Sequence, residues 1–221
     1  MNEEPRKIDP EAWPRRRHFE LFSAYAYPYF NLCADVDVAP LVRARAACRA
    51  RSSFTVHLVY ALARAANGIP EFRYRIRGDD VIEHAVVHPA TTILAEDDLF
   101  AFCFFDYVED VAAFVHSATE AIERARRDPS VDDPPDRDDF LFMTAIPWIS
   151  FTSLMHPVPL SPPDSVPRIA WGRFRVDGER RPMPLAVHAH HGLMDGIHAG
   201  RFYERVQCLI DDAKRWADGP G

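Results

Sequence analysis

With 221 residues and 48% hydrophobic content, the chain can build a sizeable core, and one α/β domain over residues 1–221 is the expectation. A formal charge of −7, from 26 basic and 33 acidic residues, gives no long-range attraction for polyanions and argues against a nucleic-acid partner. Cys33, Cys48, Cys103 and Cys208 lie far apart without metal or redox spacing, the N-terminus lacks a signal-peptide core, and no window approaches the ~20 apolar residues of a membrane span, so the chain reads as cytoplasmic with reduced thiols.

In chain order, EAWPRRRHFELFSAY (11–25) predicts a first helix with Trp13, His18, Phe19 and Phe22 on one face. NLCADVDV (31–38) alternates with period two, which predicts a half-buried strand turning Leu32, Ala34, Val36 and Val38 inward. An arginine-bearing helix, PLVRARAACRARS, leads to a more apolar and buried one, FTVHLVYALARAANG, stopped by Asn67-Gly68. YRIRGDDVIEHAV reads as a hairpin about Gly78-Asp79, HPATTILAE as a strand, and LFAFCFFDY as a dense apolar run. VEDVAAFVHSATEAIERARRD has the clearest helical period and ends before Pro129; strands follow at DFLFMTAIPWISFTSL and IAWGRFRVD. Prolines gathered at 129–135 and 157–167 mark loops.

The last third is the most informative. MPLAVHAHH (183–191) alternates, so that Leu185, Val187, Ala189 and His191 share one face and Ala186, His188 and His190 the other. Gly192 breaks this strand, and an amphipathic helix follows with Ile197, Phe202, Val206, Leu209, Ile210, Ala213 and Trp216 on its apolar side. His191, on an apolar face just before a loop, is placed either as a base reaching a cleft or as a satisfied core histidine. His188, His190, His191, Asp195 and His198 together also suggest a zinc site, as in a histidine-rich metal-dependent hydrolase. Alternation opposes that reading, because it sends His190 and His191 to opposite faces.

HHGLMDG (190–196) and the helix after it resemble the HHxxxDG signature of the chloramphenicol acetyltransferase family, within the wider coenzyme A dependent acyltransferases. WPRRRHFELF, PEFRYRIRGDDVI, PWISFTS and MPLAVHAHH resemble further blocks of that family in the same order. The resemblance implies an α/β (α+β) fold in two layers, a mixed β-sheet packed with helices, and a homotrimer with its active site at a subunit interface. There His191 of one chain would face the N-terminal pocket residues and Thr144 of its neighbour. It implies acetyl-CoA as cosubstrate, no permanently bound cofactor or metal, and chloramphenicol or a related amphenicol as the hydroxyl acceptor.

By the same resemblance His191 is the general base, and Asp195 pairs with Arg15 to fix the catalytic loop. Thr144, standing where the family has a serine, supplies a hydroxyl to the tetrahedral intermediate. The acceptor pocket falls on Leu21, Phe22, Ala26, Phe100, Leu154, His156, Val158 and Ala170, and coenzyme A contacts on Arg173, Arg51 or Ser53. Several pocket positions depart from the family: Phe22 stands for a tyrosine, Ala170 for a threonine, and Leu21, Ala26, Leu154 and His156 for other residues. A different hydroxylated natural product, with longer acyl-CoAs, is therefore a second reading, and a binding protein that has lost catalysis a third.

Overall fold

The computed structural model describes residues 4–47, 53–135 and 137–217. Nine strands and six α-helices are found among them: β1 (Arg6–Lys7), α1 (Arg16–Ser23), β2 (Tyr29–Asp37), α2 (Ala39–Ala47), α3 (Phe54–Asn67), β3 (Tyr74–Arg77), β4 (Asp80–Glu83), β5 (His88–Leu94), β6 (Phe100–Phe104), α4 (Val111–Arg127), β7 (Phe140–Ile146), β8 (Arg168–Gly172), β9 (Pro182–His190), α5 (Gly196–Asp211) and α6 (Ala213–Trp216). A mixed six-stranded sheet has the order β2-β9-β8-β7-β5-β6, with β5, β7 and β8 parallel and the other pairings antiparallel; β1, β4 and β3 form a small separate sheet. This is the mixed α/β, two-layer arrangement expected from the sequence.

One face of the large sheet carries the core. Leu141, Met143, Ile169, Trp171, Leu185, Val187 and Ala189 pack there with apolar side chains of α3, α4 and α5. Helix α3 is buried along most of its length, which its nearly all-apolar composition requires. Its first turn is capped by Ser53, whose hydroxyl accepts from the Thr55 N–H at 3.2 Å. At its far end the Asn67 amide donates to the carbonyls of Ala63 and Val87 and accepts from the Val87 N–H at 2.8 Å, so one side chain joins helix to sheet. Gly68 is not in the left-handed region; a side chain there would meet the Arg205 guanidinium at 2.6 Å.

The opposite face presents a row of paired residues, Asn31, His188, Arg168 and Phe142, on β2, β9, β8 and β7. The proline-rich stretch 147–167 runs over it: Leu154 packs with Ala170 and Ala186, and the His156 ring stacks 6.4 Å from that of His188.

Four sequence expectations need correction. The first helix begins only at Arg16; Trp13 precedes it and packs its ring on Phe19 and Tyr74, while His18 is exposed. Leu32 and Ala34 are exposed, because β2 is an edge strand and only Val36 and Val38 reach the core. Strand β7 stops at Ile146, since Pro147 has no N–H to extend the ladder. Ile197 is 59% exposed; at about 100° per residue it lies roughly 140° from Phe202 and cannot share its face.

Candidate active site

The loop after β9 is built from its own backbone. The His190 carbonyl accepts from the N–H groups of Leu193 and Met194, and the His191 N–H donates to the Pro28 carbonyl at 2.7 Å. His190 turns away from the core, edge-on to Tyr29, and its Nδ1 accepts from the Gly192 N–H at 3.1 Å. Burial pushes the His190 imidazole down to about 4, so it stays neutral and serves the turn. Gly192 sits in a crowded place: a Cβ would lie 3.0 Å from the His190 ring and 3.1 Å from Phe19, so those rings would have to give way to a side chain.

His191 points to the other side and is about one-third exposed. Its ring lies flat on Phe22 at 3.9 Å between centroids, with Phe30 at 5.0 Å. Nδ1 is 3.1 Å from the Met194 carbonyl oxygen and 3.1 Å from Asp195 Oδ1. A carbonyl only accepts, so the proton of the neutral ring sits on Nδ1 and the lone pair on Nε2. The sheet, the loop and Phe22 thus fix which nitrogen can take a proton.

Arg15 binds this loop from the far end of the sequence. Its guanidinium donates to both carboxylate oxygens of Asp195, the Nη2 contact being 2.8 Å, and also to the carbonyls of His191 at 2.6 Å and Gly192 at 2.9 Å. That fork pattern suits arginine and not lysine. Hydrogen bonding from Arg15 holds the Asp195 carboxyl below the usual carboxylate range. The neighbouring arginines do other things: Arg16 pairs with Glu11 and Glu20, and Arg17 is exposed.

Replacing Arg15 by alanine would leave Asp195 without its guanidinium partner and two carbonyls without their donor. The expected cost is roughly 3 kcal/mol, near the lower end for a buried pair because Asp195 stays partly wet. Thermal melts of the wild-type and Arg15→Ala proteins check this, and Arg15→Lys is expected to restore only part of the loss.

A second group of candidates gathers elsewhere. Thr144, Phe100 and His156 line a cavity of about 250 Å³ to which Phe102, Phe104 and Phe142 add aromatic surface and Asp133 and Arg168 charged groups. Burial pushes the His156 imidazole down to about 4, and its Nε2 has no hydrogen-bond partner among the described residues. Val158 is half-buried in the loop beyond His156, and Ala170, fully buried, is the β8 partner of Thr144. Leu21 and Ala26 are exposed near the His191 loop, on and just after α1.

These two groups do not meet within one chain. Thr144 pairs with Ala170 and Ala170 with Ala186, five residues before His191. Strand geometry therefore separates the threonine from the histidine by roughly 17 Å along the sheet and about 10 Å across it. Phe22 corrects one expectation: it stacks on His191 of its own chain, since α1 is tethered to the loop by Arg15, and so it does not face that histidine from a neighbour.

The five histidines and acids considered for zinc are likewise divided. His191 lies among Phe22 and Phe30, whereas His188 and His190 lie against Tyr29 on the other face.

A sequence model described as chloramphenicol acetyltransferase matches residues 4–207. The chain belongs to the chloramphenicol acetyltransferase family. A chloramphenicol acetyltransferase of Bacillus pumilus is 29% identical over 215 residues, 96% of each chain, and one from Klebsiella sp is 26% identical over 213 residues, 96% of this chain and 95% of its own. The solved structure of a chloramphenicol acetyltransferase superposes with a TM-score of 0.82 at 30% identity, over 94% of this chain and 100% of the other.

Within this member of the family, two of the coenzyme A candidates, Arg173 and Ser53, share one region. Arg173 is exposed just past β8, and the ring of its neighbour Phe174 lies 6.3 Å from Phe54, the residue after Ser53. Arg51 lies outside the described residues. Sequence reasoning missed His198 and Glu71 as partners of the loop. The available signal was the spacing of Asp195 and His198, that of a helix N-cap and its third residue.

Proposed function

We propose that the chain transfers the acetyl group of acetyl-CoA to a hydroxyl of chloramphenicol or a related amphenicol. His191 Nε2 takes the hydroxyl proton as the oxygen attacks the thioester carbonyl. The Thr144 hydroxyl donates to the oxyanion of the tetrahedral intermediate, which collapses to the ester and expels the coenzyme A thiolate; that thiolate recovers the proton from His191. Acetyl-CoA is consumed as a cosubstrate, and no resident cofactor takes part. The observation that carries this reading is the His191 ring itself, with Nδ1 engaged by the Met194 carbonyl and Nε2 left to accept. An alcohol is a poor nucleophile at neutral pH, and a positioned base is what the reaction needs.

The separation of His191 from Thr144 supports an active site assembled between copies, in a homotrimer, with His191 and Phe22 from one chain and the Thr144 cavity from the next. Exposed apolar side chains on the relevant surfaces, including Leu21 and Phe100, favour such an assembly. Arg173 and Ser53 supply the polar region for coenzyme A; the Ser53 hydroxyl, already accepting from Thr55, keeps its own hydrogen to donate. The thiols of Cys33, Cys103 and Cys208 are free, which suits the cytoplasm, and no helix among the described residues is long and apolar enough to cross a membrane.

Incubation with acetyl-CoA and chloramphenicol is expected to yield chloramphenicol carrying one added acetyl group, identified by mass, together with free coenzyme A thiol. One feature favours a second acceptor: the cavity beside Thr144 carries Asp133 and Arg168 as well as phenylalanines, which suits an additional polar group on the bound molecule. Turnover of another hydroxylated natural product, or of longer acyl-CoAs, with none of chloramphenicol would replace the first acceptor by the second and keep the mechanism.

A further inference from the structure

Beneath the His191 loop lies a pair of side chains that the acyl-transfer chemistry does not touch. The Asp195 N–H donates to His198 Nδ1 at 2.9 Å. His198 Nε2 in turn lies 3.4 Å from Glu71 Oε1. Because Nδ1 accepts, the proton of the neutral ring must be on Nε2, facing the Glu71 carboxylate. Both side chains are largely shielded, with 12% and 19% of their surfaces exposed. Glu71 sits on a short 3₁₀ turn, Pro70–Arg73, whose Phe72 ring stacks 4.8 Å from Phe202 of α5, with both rings fully buried. The carboxylate therefore approaches α5 from a platform fixed by core packing.

We propose that His198 and Glu71 are positioning residues for the catalytic loop: Glu71 orients the His198 ring, and His198 holds the Asp195 backbone while Arg15 holds its carboxylate. Asp195 is then clamped at both ends, and with it the Met194 carbonyl that sets the His191 tautomer. The residue before Asp195 supplies that carbonyl, so a slack N–H at 195 loosens the acceptor of His191 Nδ1 directly. The charged groups facing His198 are Glu71 from the 3₁₀ turn, Arg15 from the start of α1, and Asp195 and Arg201 from its own helix. Burial, with help from Arg15 and Arg201, favours the neutral ring, which is the only form able to accept from the Asp195 N–H.

This inference rests on His191 as the base, and the variants separate the two. His198→Ala removes the acceptor, whereas His198→Asn places Oδ1 where Nδ1 stood. His198→Ala is expected to lower kcat about 10- to 100-fold, the size of effect that a misplaced catalytic group produces, with KM for acetyl-CoA and acceptor little changed. His198→Asn is expected to recover most of kcat, and Glu71→Ala to show a smaller loss in the same direction. Long-range ¹H–¹⁵N spectra of the imidazoles supply a readout independent of turnover. In the wild type and His198→Asn, the His191 signals should be those of a ring protonated at Nδ1; in His198→Ala they should move toward a mixture of tautomers.

If His198→Ala is poorly folded, His198→Asn decides alone: a folded His198→Asn protein with low kcat and mixed His191 tautomers overturns the proposal. Unchanged kcat and an unchanged His191 tautomer in His198→Ala also overturn it. Normal turnover by His191→Ala would instead remove the base assignment on which it stands.

Discussion

His191→Ala is expected to lower kcat for acetyl transfer by about 10²–10⁴-fold, the usual contribution of a positioned general base. The ring occupies a loop that closes on its own backbone, and most contacts that shape this loop run through main-chain groups and Arg15, the imidazole adding only its Nδ1 contacts to Met194 and Asp195. Truncation should therefore leave the fold intact, and an unchanged far-ultraviolet spectrum would separate lost chemistry from lost structure. KM values should change little, because the Phe22 face and the Thr144 cavity remain. His191→Gln is expected to be nearly as inactive, since a carboxamide nitrogen has no lone pair with which to take a proton.

The second large effect concerns Thr144. Removing one hydrogen-bond donor from a developing oxyanion typically costs about 10²–10³-fold in kcat. Thr144→Ala should lose activity on that scale, and Thr144→Ser should keep most of it, because the hydroxyl and not the methyl does the stabilising. Thr144 and His191 are separated along the sheet of one chain, and in the assembly proposed above the two residues of one functioning site would belong to different copies. Chains carrying Thr144→Ala and chains carrying His191→Ala, each inactive alone, are expected to regain activity when unfolded together and reassembled, because some interfaces then pair an intact His191 with an intact Thr144. Failure of the mixture to exceed the two variants alone would place both residues in one chain's site or remove Thr144 from it.

How much of this was legible in the sequence differs from residue to residue. Alternation in 183–191 separated the core-facing Leu185, Val187 and Ala189 from His188 and His190, because a strand with buried faces has its side chains assigned by period alone. It could not reveal that Leu32 and Ala34 would lie exposed, since exposure on β2 depends on its place at the sheet edge, which is set by pairing partners far along the chain. Arg15 is one of three consecutive arginines, and helical periodicity gave no means of choosing among them. Resemblance to a family motif did, and the geometry distinguishes Arg15 by four acceptors that come from residues more than 170 positions away. His198 and Glu71 escaped for the same reason: their meeting depends on how the 3₁₀ turn packs on α5.

The acceptor wall is the least legible part. The family resemblance places Phe22 and His156 in one pocket, yet Phe22 lies on the His191 ring while His156 lines the Thr144 cavity. A list of pocket residues does not say how they are grouped, and only the arrangement in space divides the list.

The most direct measurement is the initial rate of thiol release from acetyl-CoA on addition of chloramphenicol, followed at equal concentrations of the wild-type and His191→Ala proteins. Acceptor-dependent release by the wild type and its near-complete loss in the variant is the expected result. Equal rates in the two proteins would contradict the role of His191, and no acceptor-dependent release from any hydroxylated compound would contradict acyl transfer itself.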